Sequence, residues 1–479
     1  MIPMPPGYSA EPTGNHGDYD IIMRSKNILT RREFLRRSAG IALTTLSAPA
    51  LVPSTIFGKA GQVPPGERIV MGCIGVGGQG TYNARAFLNI LEVQVVAVCD
   101  VERESDLYYG ETIAGREPAR RLVNEFYAGN RGEVNYQGCQ EYADFRELLD
   151  RDDIDAVTVC TPDHWHGLIS VAAAEAGKDI YCEKPLTNTI AEGRAVVDAV
   201  RKYGRILQTG SHERSNDSVR YACELVRNGY IGKLRQIRVN MPNSDPHHDL
   251  IRQWNQPQPE MPIPAGFDYN MWLGHTLWEP YTEKRCHFWW RFILEYGGGE
   301  MTDRGAHIID LAQLGNNTDH TGPVVLKARG SAPDDGLYNT FLSYEFECQY
   351  ENGVTLLGSS QQPRGLKFEG TDGWIFIHIH GGRLEAEPAS LLTTKIGPEE
   401  IHLGRSPEHH ENFINAVKTR KQPVAPVEVG HHTATICHLL NIAMLTGTEL
   451  QWDPENEQIT NSPEANKMLA RPMRSPWHL

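Results

Sequence analysis

The chain is expected to be an α/β protein, with an N-terminal doubly wound parallel sheet followed by an α+β domain. Three observations predict this. From Arg68 to about Gly210, apolar strand-length runs ("RIVMGCIG", "VQVVAVCD", "IDAVTVCT", "KDIYCEK", "RILQTG") alternate with helix-length amphipathic stretches. Alternation of this kind builds βα units, and hence a parallel sheet covered by helices on both faces. The first run leads directly into Gly75-Val76-Gly77-Gly78-Gln79-Gly80 and then a helical stretch from Thr81 to Asn89, so a GxGxxG turn sits at a strand–helix junction. After Gly210 the pattern changes to runs such as "KLRQIRVNM", "NTFLSYEFECQY" and "GWIFIHIHG", several of which alternate apolar and polar residues as half-buried antiparallel strands do.

At 479 residues the chain exceeds one ordinary core and implies two domains behind a leader. With 40% hydrophobic and 22% charged residues and no apolar run near the roughly 20 residues of a spanning helix, no membrane span is expected in the mature protein. A formal net charge of -14 without a basic cluster outside the leader argues against a nucleic-acid partner. Residues 1–60 read as that leader. Arg31-Arg32, Phe34-Leu35, an apolar stretch from Ala39 to Leu46 and the small residues Ala48-Pro49-Ala50 form a twin-arginine signal, with cleavage after Ala50 and a periplasmic destination. Met23 would itself open a conventional signal, so Met1 is expected to be an over-extended start. The nine cysteines are odd in number, lack a CxxC pair and lie mostly in apolar runs. They are expected to be core thiols, kept reduced because the twin-arginine route carries chains already folded in the cytoplasm.

The glycine loop has the mechanics of a dinucleotide site. Gly75 permits the tight turn, Gly77 lets the backbone approach a pyrophosphate, and Gly80 allows close helix packing, with Gly78 and Gln79 in the same loop. Asp100 ends the second strand about 25 residues after Gly75, the spacing at which an acid bonds the adenosine ribose. It favours NAD, whereas Arg103 leaves NADP open. The polar stretch between Val101 and Gln137 is expected to be a surface insertion with one helix. Thr161-Pro162-Asp163-His164-Trp165-His166 falls at the carboxyl edge of the sheet, which makes Thr161, Pro162 and His164, with Glu183 and Lys184 after the next strand, candidate cofactor contacts. His166 suits either a contact or the packing of the following helix. In Glu183-Lys184-Pro185 the proline keeps Lys184 extended, so its amine can project from the sheet edge as a proton carrier. The bland alternative is a solvent-facing lysine paired with Glu183.

In this order, GxGxxG, a strand-end Asp, "TPDHWH", "EKP" and "GGGEMTDRGAHIID" resemble the glucose-fructose oxidoreductase, inositol dehydrogenase and rhizopine catabolism (Gfo/Idh/MocA) family. The resemblance covers nearly all of the chain after the leader. It implies a Rossmann domain over 66–212 and an α+β domain over 213–425 built on a large, mostly antiparallel sheet. It also implies homodimers or homotetramers, a tightly held cofactor in exported members, and an active site at Lys184, Asp303 and His307. Residues 426–479 are expected to return a helix and tail to the first domain.

If Thr302 or Asp303 opens a helix, Asp303, His307 and Asp310 share one face, and both carboxylates flank the histidine. An acid beside a histidine raises its pKa and fixes its tautomer, which suits a general acid/base at a hydroxyl losing hydride. His307 is assigned that role, Lys184 a hydrogen-bonding proton role, and Asp303 and Asp310 contacts that orient substrate. The same spacing could describe a divalent metal site. With only "DPHHD" at 245–249 as a second cluster, no metal is expected. His409-His410 and His431-His432 are read as packing or surface pairs. Five of the nine tryptophans lie between Trp254 and Trp290, and Trp272, Tyr281 and Trp289 are candidates to stack on a sugar. The expected activity is oxidation of a hydroxyl on a sugar, glycoside or cyclitol. The alternatives are an NAD-dependent glycosidase working by transient C3 oxidation, with His248, His287 or Tyr281 as extra acid/base, and an exported sugar-binding protein without turnover.

Overall fold

The structure, a computed structural model, describes residues 63–108, 112–131, 137–333, 335–406 and 408–479. The twin-arginine pattern lies outside the described residues. The first sheet contains β1 (Ile69–Ile74), β2 (Val93–Cys99), β5 (Gln140–Tyr142), β6 (Ala156–Val159), β7 (Asp179–Cys182) and β8 (Leu207–Thr209). Their order is β5-β2-β1-β6-β7-β8, and every pairing is parallel. The order reverses beside β1, so a crevice opens outside the carboxyl ends of β1 and β6. Helices Gly78–Leu88, Asp163–Glu175 and Ile190–Lys202 connect these strands. The last shows why the sequence stops and starts where it does. Thr189 caps its first turn by accepting from the Glu192 amide, and Arg201 and Lys202 close its negative end. The polar stretch after β2 holds a hairpin, β3 (Ser105–Tyr108) and β4 (Thr112–Ala114), and the helix Arg116–Arg131.

The second sheet contains β9 (Leu234–Asn240), β10 (Val325–Ser331), β11 (Ser343–Gln349), β12 (Thr355–Ser359), β13 (Gly365–Gly370), β14 (Trp374–Ile377), β15 (Leu384–Glu387), β16 (Leu450–Asp453) and β17 (Gln458–Ile459). Its order is β15-β14-β13-β9-β12-β11-β10-β16-β17, antiparallel except for β9 against β12. Alternation along β11 sends Tyr344, Phe346 and Cys348 inward and leaves Ser343 and Glu345 fully and Glu347 partly exposed on the outer face. The inner face packs on helices Asp217–Arg227, Gly305–Asn316 and Val427–Thr446.

Val427–Thr446 also lies along Ile190–Lys202 of the first sheet's domain. Arg194 ties the two together, reaching Glu428 at 3.1 Å and Glu457 at 2.6 Å. The segment between β9 and β10 supplies an aromatic core of its own, with Tyr269, Trp272, Tyr281, Phe292 and Tyr296 buried together. All nine cysteines are free thiols, and eight are buried. Burial pushes the Cys73 thiol up to about 11. Among the described residues no helix is long and apolar enough to cross a membrane.

Candidate active site

A cavity of about 490 Å³ runs from the glycine turn to Lys184, Asp303 and His307. At its first end Gly75 has φ +77, a region closed to most side chains, and a Cβ there would lie 2.6 Å from the Cys160 carbonyl carbon. A Cβ on Gly80 would fall 1.8 Å from the Gly75 carbonyl oxygen, so this glycine lets the helix start directly on the turn. Helix Gly78–Leu88 begins with no side-chain cap, which leaves its first N–H groups for a ligand. Around Gly78 nothing lies within 4 Å of an added Cβ. Beyond the turn, the Asp100 carboxylate accepts the Val76 amide at 2.7 Å and the Glu102 amide at 2.9 Å, one on each oxygen. Each oxygen keeps a lone pair for a ribose hydroxyl. Burial pushes this carboxyl up to about 6 against the pull of those two amides, which still leaves it ionised at neutral pH. An uncapped helix, an open glycine cradle and a lone-pair-bearing carboxylate are the donor and acceptor set that a dinucleotide needs.

Arg103, the residue that left NADP open, points away. Its Nε pairs with Glu117 at 2.8 Å on the exposed side of the insertion. Tyr108, from β3, covers the turn. Its Cε1 would lie 2.7 Å from a Cβ on Gly77, and its ring meets His287 edge-on at 4.9 Å between centroids.

The TPDHWH residues divide between the cavity and the interior. Thr161 and Pro162 line the cavity, and so does Asp163, whose carboxyl burial pushes well above the carboxylate range although Lys184 opposes it. His164 does not line it. Its Nε2 lies 2.9 Å from the Trp272 carbonyl, and burial brings its pKa down to about 3. It ties the helix Asp163–Glu175 to the aromatic segment instead of reaching a cofactor. His166 combines both readings, because it lines the cavity while Nδ1 and Nε2 sit 2.7 and 2.9 Å from the carbonyls of Pro185 and Thr161. Glu183 accepts from Asn83 at 2.8 Å and from Gln79 at 3.3 Å, so it fastens the EKP segment to the first helix.

Lys184 is not paired with Glu183. Its ammonium donates to Asp303 Oδ1 at 2.6 Å and to the Asp303 carbonyl at 3.1 Å. Arg291 approaches the same carboxylate at 3.6 Å. Burial alone would raise the Asp303 carboxyl, but Lys184 and Arg291 outweigh it and hold the group well below the usual range.

Two expectations about this motif are corrected. Asp303 and Asp310 do not both flank His307: Asp303 ends the short turn Glu300–Asp303 and lines the cavity, whereas Asp310, in the helix Gly305–Asn316 with His307, is buried on the inner side. There Arg214 donates to it at 2.6 and 2.8 Å. Nor is the His307 pKa raised. Burial first, then Lys184 and His212, hold it well below the ordinary value, and the opposing pull of Asp303 is weaker. At neutral pH His307 is a neutral base, and its Nδ1 is enclosed without a partner among the described residues.

Of the aromatic candidates, Trp272 lines the cavity, whereas Tyr281 and Trp289 pack within the aromatic segment. Phe288, Trp290 and Arg291, in and beside the turn Trp289–Phe292, line it in their place. His248 is fixed to Glu300 at 2.9 Å, and only His287 of the three additional acid/base candidates reaches the cavity. His212 and His380 also face the cavity, and the sequence offered no local signal for either.

The fold and this site define a dinucleotide-binding oxidoreductase of two domains. Residues 69–211 match the family model described as "Oxidoreductase family, NAD-binding Rossmann fold", and residues 216–479 match its companion, "Oxidoreductase family, C-terminal alpha/beta domain". The chain belongs to the Gfo/Idh/MocA oxidoreductase family. Among curated proteins it is similar to levoglucosan dehydrogenase of Pseudarthrobacter phenanthrenivorans, 29% identical over 172 residues, 36% of this chain and 35% of that protein. It is also similar to the alpha-N-acetylgalactosaminidase of Shewanella oneidensis, 28% identical over 216 residues, 43% of this chain and 44% of that protein. The chain thus spans roughly a third to a half of the length of the curated relatives it matches. Among solved structures, the WlbA dehydrogenase from Bordetella pertussis in complex with NADH and UDP-GlcNAcA has a TM-score of 0.55 at 15% identity, covering 81% of this chain and 99% of that one. That likeness shows the fold.

Proposed function

We propose that the protein is an NAD-dependent oxidoreductase acting on a hydroxyl of a sugar, glycoside or cyclitol, and that it holds its cofactor tightly. The observation that carries this reading is the Lys184–Asp303 pair, 2.6 Å apart beside His307, at the far end of a cavity that starts at the glycine turn. Gly75, Gly77, Gly78, Gln79 and Asp100 would hold the dinucleotide. When bound, it supplies a hydride acceptor. Neutral His307 accepts the hydroxyl proton, Lys184 donates a hydrogen bond to the reacting oxygen, and Asp303 holds Lys184 in place. Trp272 and Trp290 give apolar faces to a sugar ring. Substitution of Lys184 or His307 by Ala is expected to lower turnover at least ~10²-fold while the folded protein keeps its cofactor. Loss of cofactor with retained turnover per bound cofactor would overturn these roles.

Similarity to the Shewanella glycosidase favours a second reading, net hydrolysis by transient C3 oxidation, elimination of the aglycone, addition of water and re-reduction, with His287 as the additional acid/base. Both readings agree with export by the twin-arginine route, because a cofactor loaded during cytoplasmic folding and never released needs no external pool. In this proposal the mature enzyme is periplasmic and forms a homodimer or homotetramer.

A further inference from the structure

We propose that His212, Glu213 and His380 form a binding site for one divalent transition-metal ion of the zinc type, on the wall of the cavity beside His307. The three residues come from two segments far apart in the sequence. His212 and Glu213 open the turn His212–Ser215 after β8, while His380 lies in the turn between β14 and β15. Each offers one donor atom, and the three atoms lie within 4.8 Å of one another. Glu213 Oε1 is 3.1 Å from His380 Nδ1 and 3.8 Å from His212 Nε2. Donors around a tetrahedral ion with bonds of about 2.0–2.2 Å lie about 3.3–3.6 Å apart, so small side-chain adjustments would seat one.

The surroundings favour an ion over a simple hydrogen bond. Glu213 is buried, and among the described residues no lysine or arginine pairs with it. His380 is held at φ +62, which costs a non-glycine residue backbone energy and aims its ring at the carboxylate. The His212 and His380 rings stand 4.7 and 5.8 Å from the His307 ring. Two imidazoles and one carboxylate leave coordination positions open, and here they would face the cavity. On the functional reading above, those positions suit substrates with adjacent oxygens, such as a vicinal diol or a hydroxy ketone.

The second histidine cluster makes the contrast. Asp245, His247 and His248 also converge, but Arg304 and Arg364 take the Asp245 carboxylate and Glu300 takes both imidazoles. Its donors are spent on ion pairs.

The test is metal uptake by the full chain, stripped with a chelator and titrated with Co²⁺, read by the visible absorption of a tetrahedral or five-coordinate cobalt centre, with Zn²⁺ as competitor. One equivalent is expected. His380→Ala and Glu213→Gln should each bind at least ~10-fold more weakly, whereas His247→Ala should bind like the parent. His380 is half-exposed, and an unchanged melting temperature would show that its variant is folded. No stoichiometric uptake, uptake unaffected in both ligand variants, or uptake lost only in His247→Ala would each overturn the site. Cofactor content, measured on the same samples, reports separately on the oxidoreductase reading.

Discussion

Gly78 separates folding from cofactor binding more cleanly than any other residue in the site. A methyl group there meets nothing within 4 Å, whereas one on Gly80 would strike the Gly75 carbonyl at 1.8 Å. Gly78→Ala is therefore expected to melt like the parent when free of cofactor and to bind NAD(H) at least ~10-fold more weakly, about 1.4 kcal/mol, measured by calorimetric titration. Equal affinity would remove the phosphates from the helix start. Asp310 poses the opposite case, a residue whose sequence position suggests chemistry and whose surroundings indicate support. It is 1% exposed and takes both the Nε and an Nη of Arg214, which also reaches Asp319 at 2.7 Å. Breaking a buried pair strands the remaining charge at a cost of about 3–5 kcal/mol, and Asp319 should hold the loss near the lower end. Asp310→Asn is expected to lose about 3 kcal/mol in denaturant unfolding while turnover per folded molecule changes less than about twofold. A large drop in turnover at unchanged stability would return Asp310 to the substrate.

Among the elements, the pair Ile190–Lys202 and Val427–Thr446 joins the two sheets' domains through charge. Arg194 bonds Glu428 and Glu457, and His431 bonds Glu457 at 2.6 Å. The bond from His432, with Arg194 and Arg201, brings the Glu428 carboxyl down to about 2. At Glu457 burial works the other way, but His431 and Arg194 overcome it and bring that carboxyl to about 2 as well. Both folded-state values lie below the unfolded value near 4.3, so the stabilisation is complete above about pH 5 and disappears as pH falls towards 2. The melting temperature should therefore drop through this window, and Arg194→Ala should show a shallower drop from a lower starting value. Parallel slopes for the two proteins would exclude the clamp.

The same elements show what was legible. Apolar runs and the GxGxxG junction located β1, β2, β6, β7 and β8, because continuous burial and backbone geometry are local properties. β13 and β15 to β17 were not visible, since short strands whose inward residues are interrupted by glycine and charge carry no clear period. Lys184, Asp303 and His307 were found through motif order. The inward placement of Asp310 was not, because its partner Arg214 lies 96 residues away and leaves no local mark in "TDRGAHIID".

For the whole molecule, the central question is how the cofactor crevice is closed. A Rossmann crevice alone is open to solvent, and a protein working outside the cytoplasm would lose a freely exchanging dinucleotide. Here Tyr108 of the insertion lies over Gly77, and His287, contributed by the aromatic segment of the other domain, meets its ring at 4.9 Å. Placed there, the two rings are expected to act as a clasp on a dinucleotide held at the glycine turn. Purified without added nucleotide and then denatured, the protein is expected to release close to one equivalent of NAD(H). Tyr108→Ala is expected to fold normally and to retain the cofactor less well, with an off-rate faster by at least ~10-fold when chased with excess labelled NAD. If the parent protein emerges empty, the proposal of a tightly held cofactor fails and exchange with an external pool is required. If it emerges loaded and Tyr108→Ala exchanges no faster, retention stands but must come from the half-buried Asp100 and the glycine turn, because the clasp would then contribute nothing to the barrier.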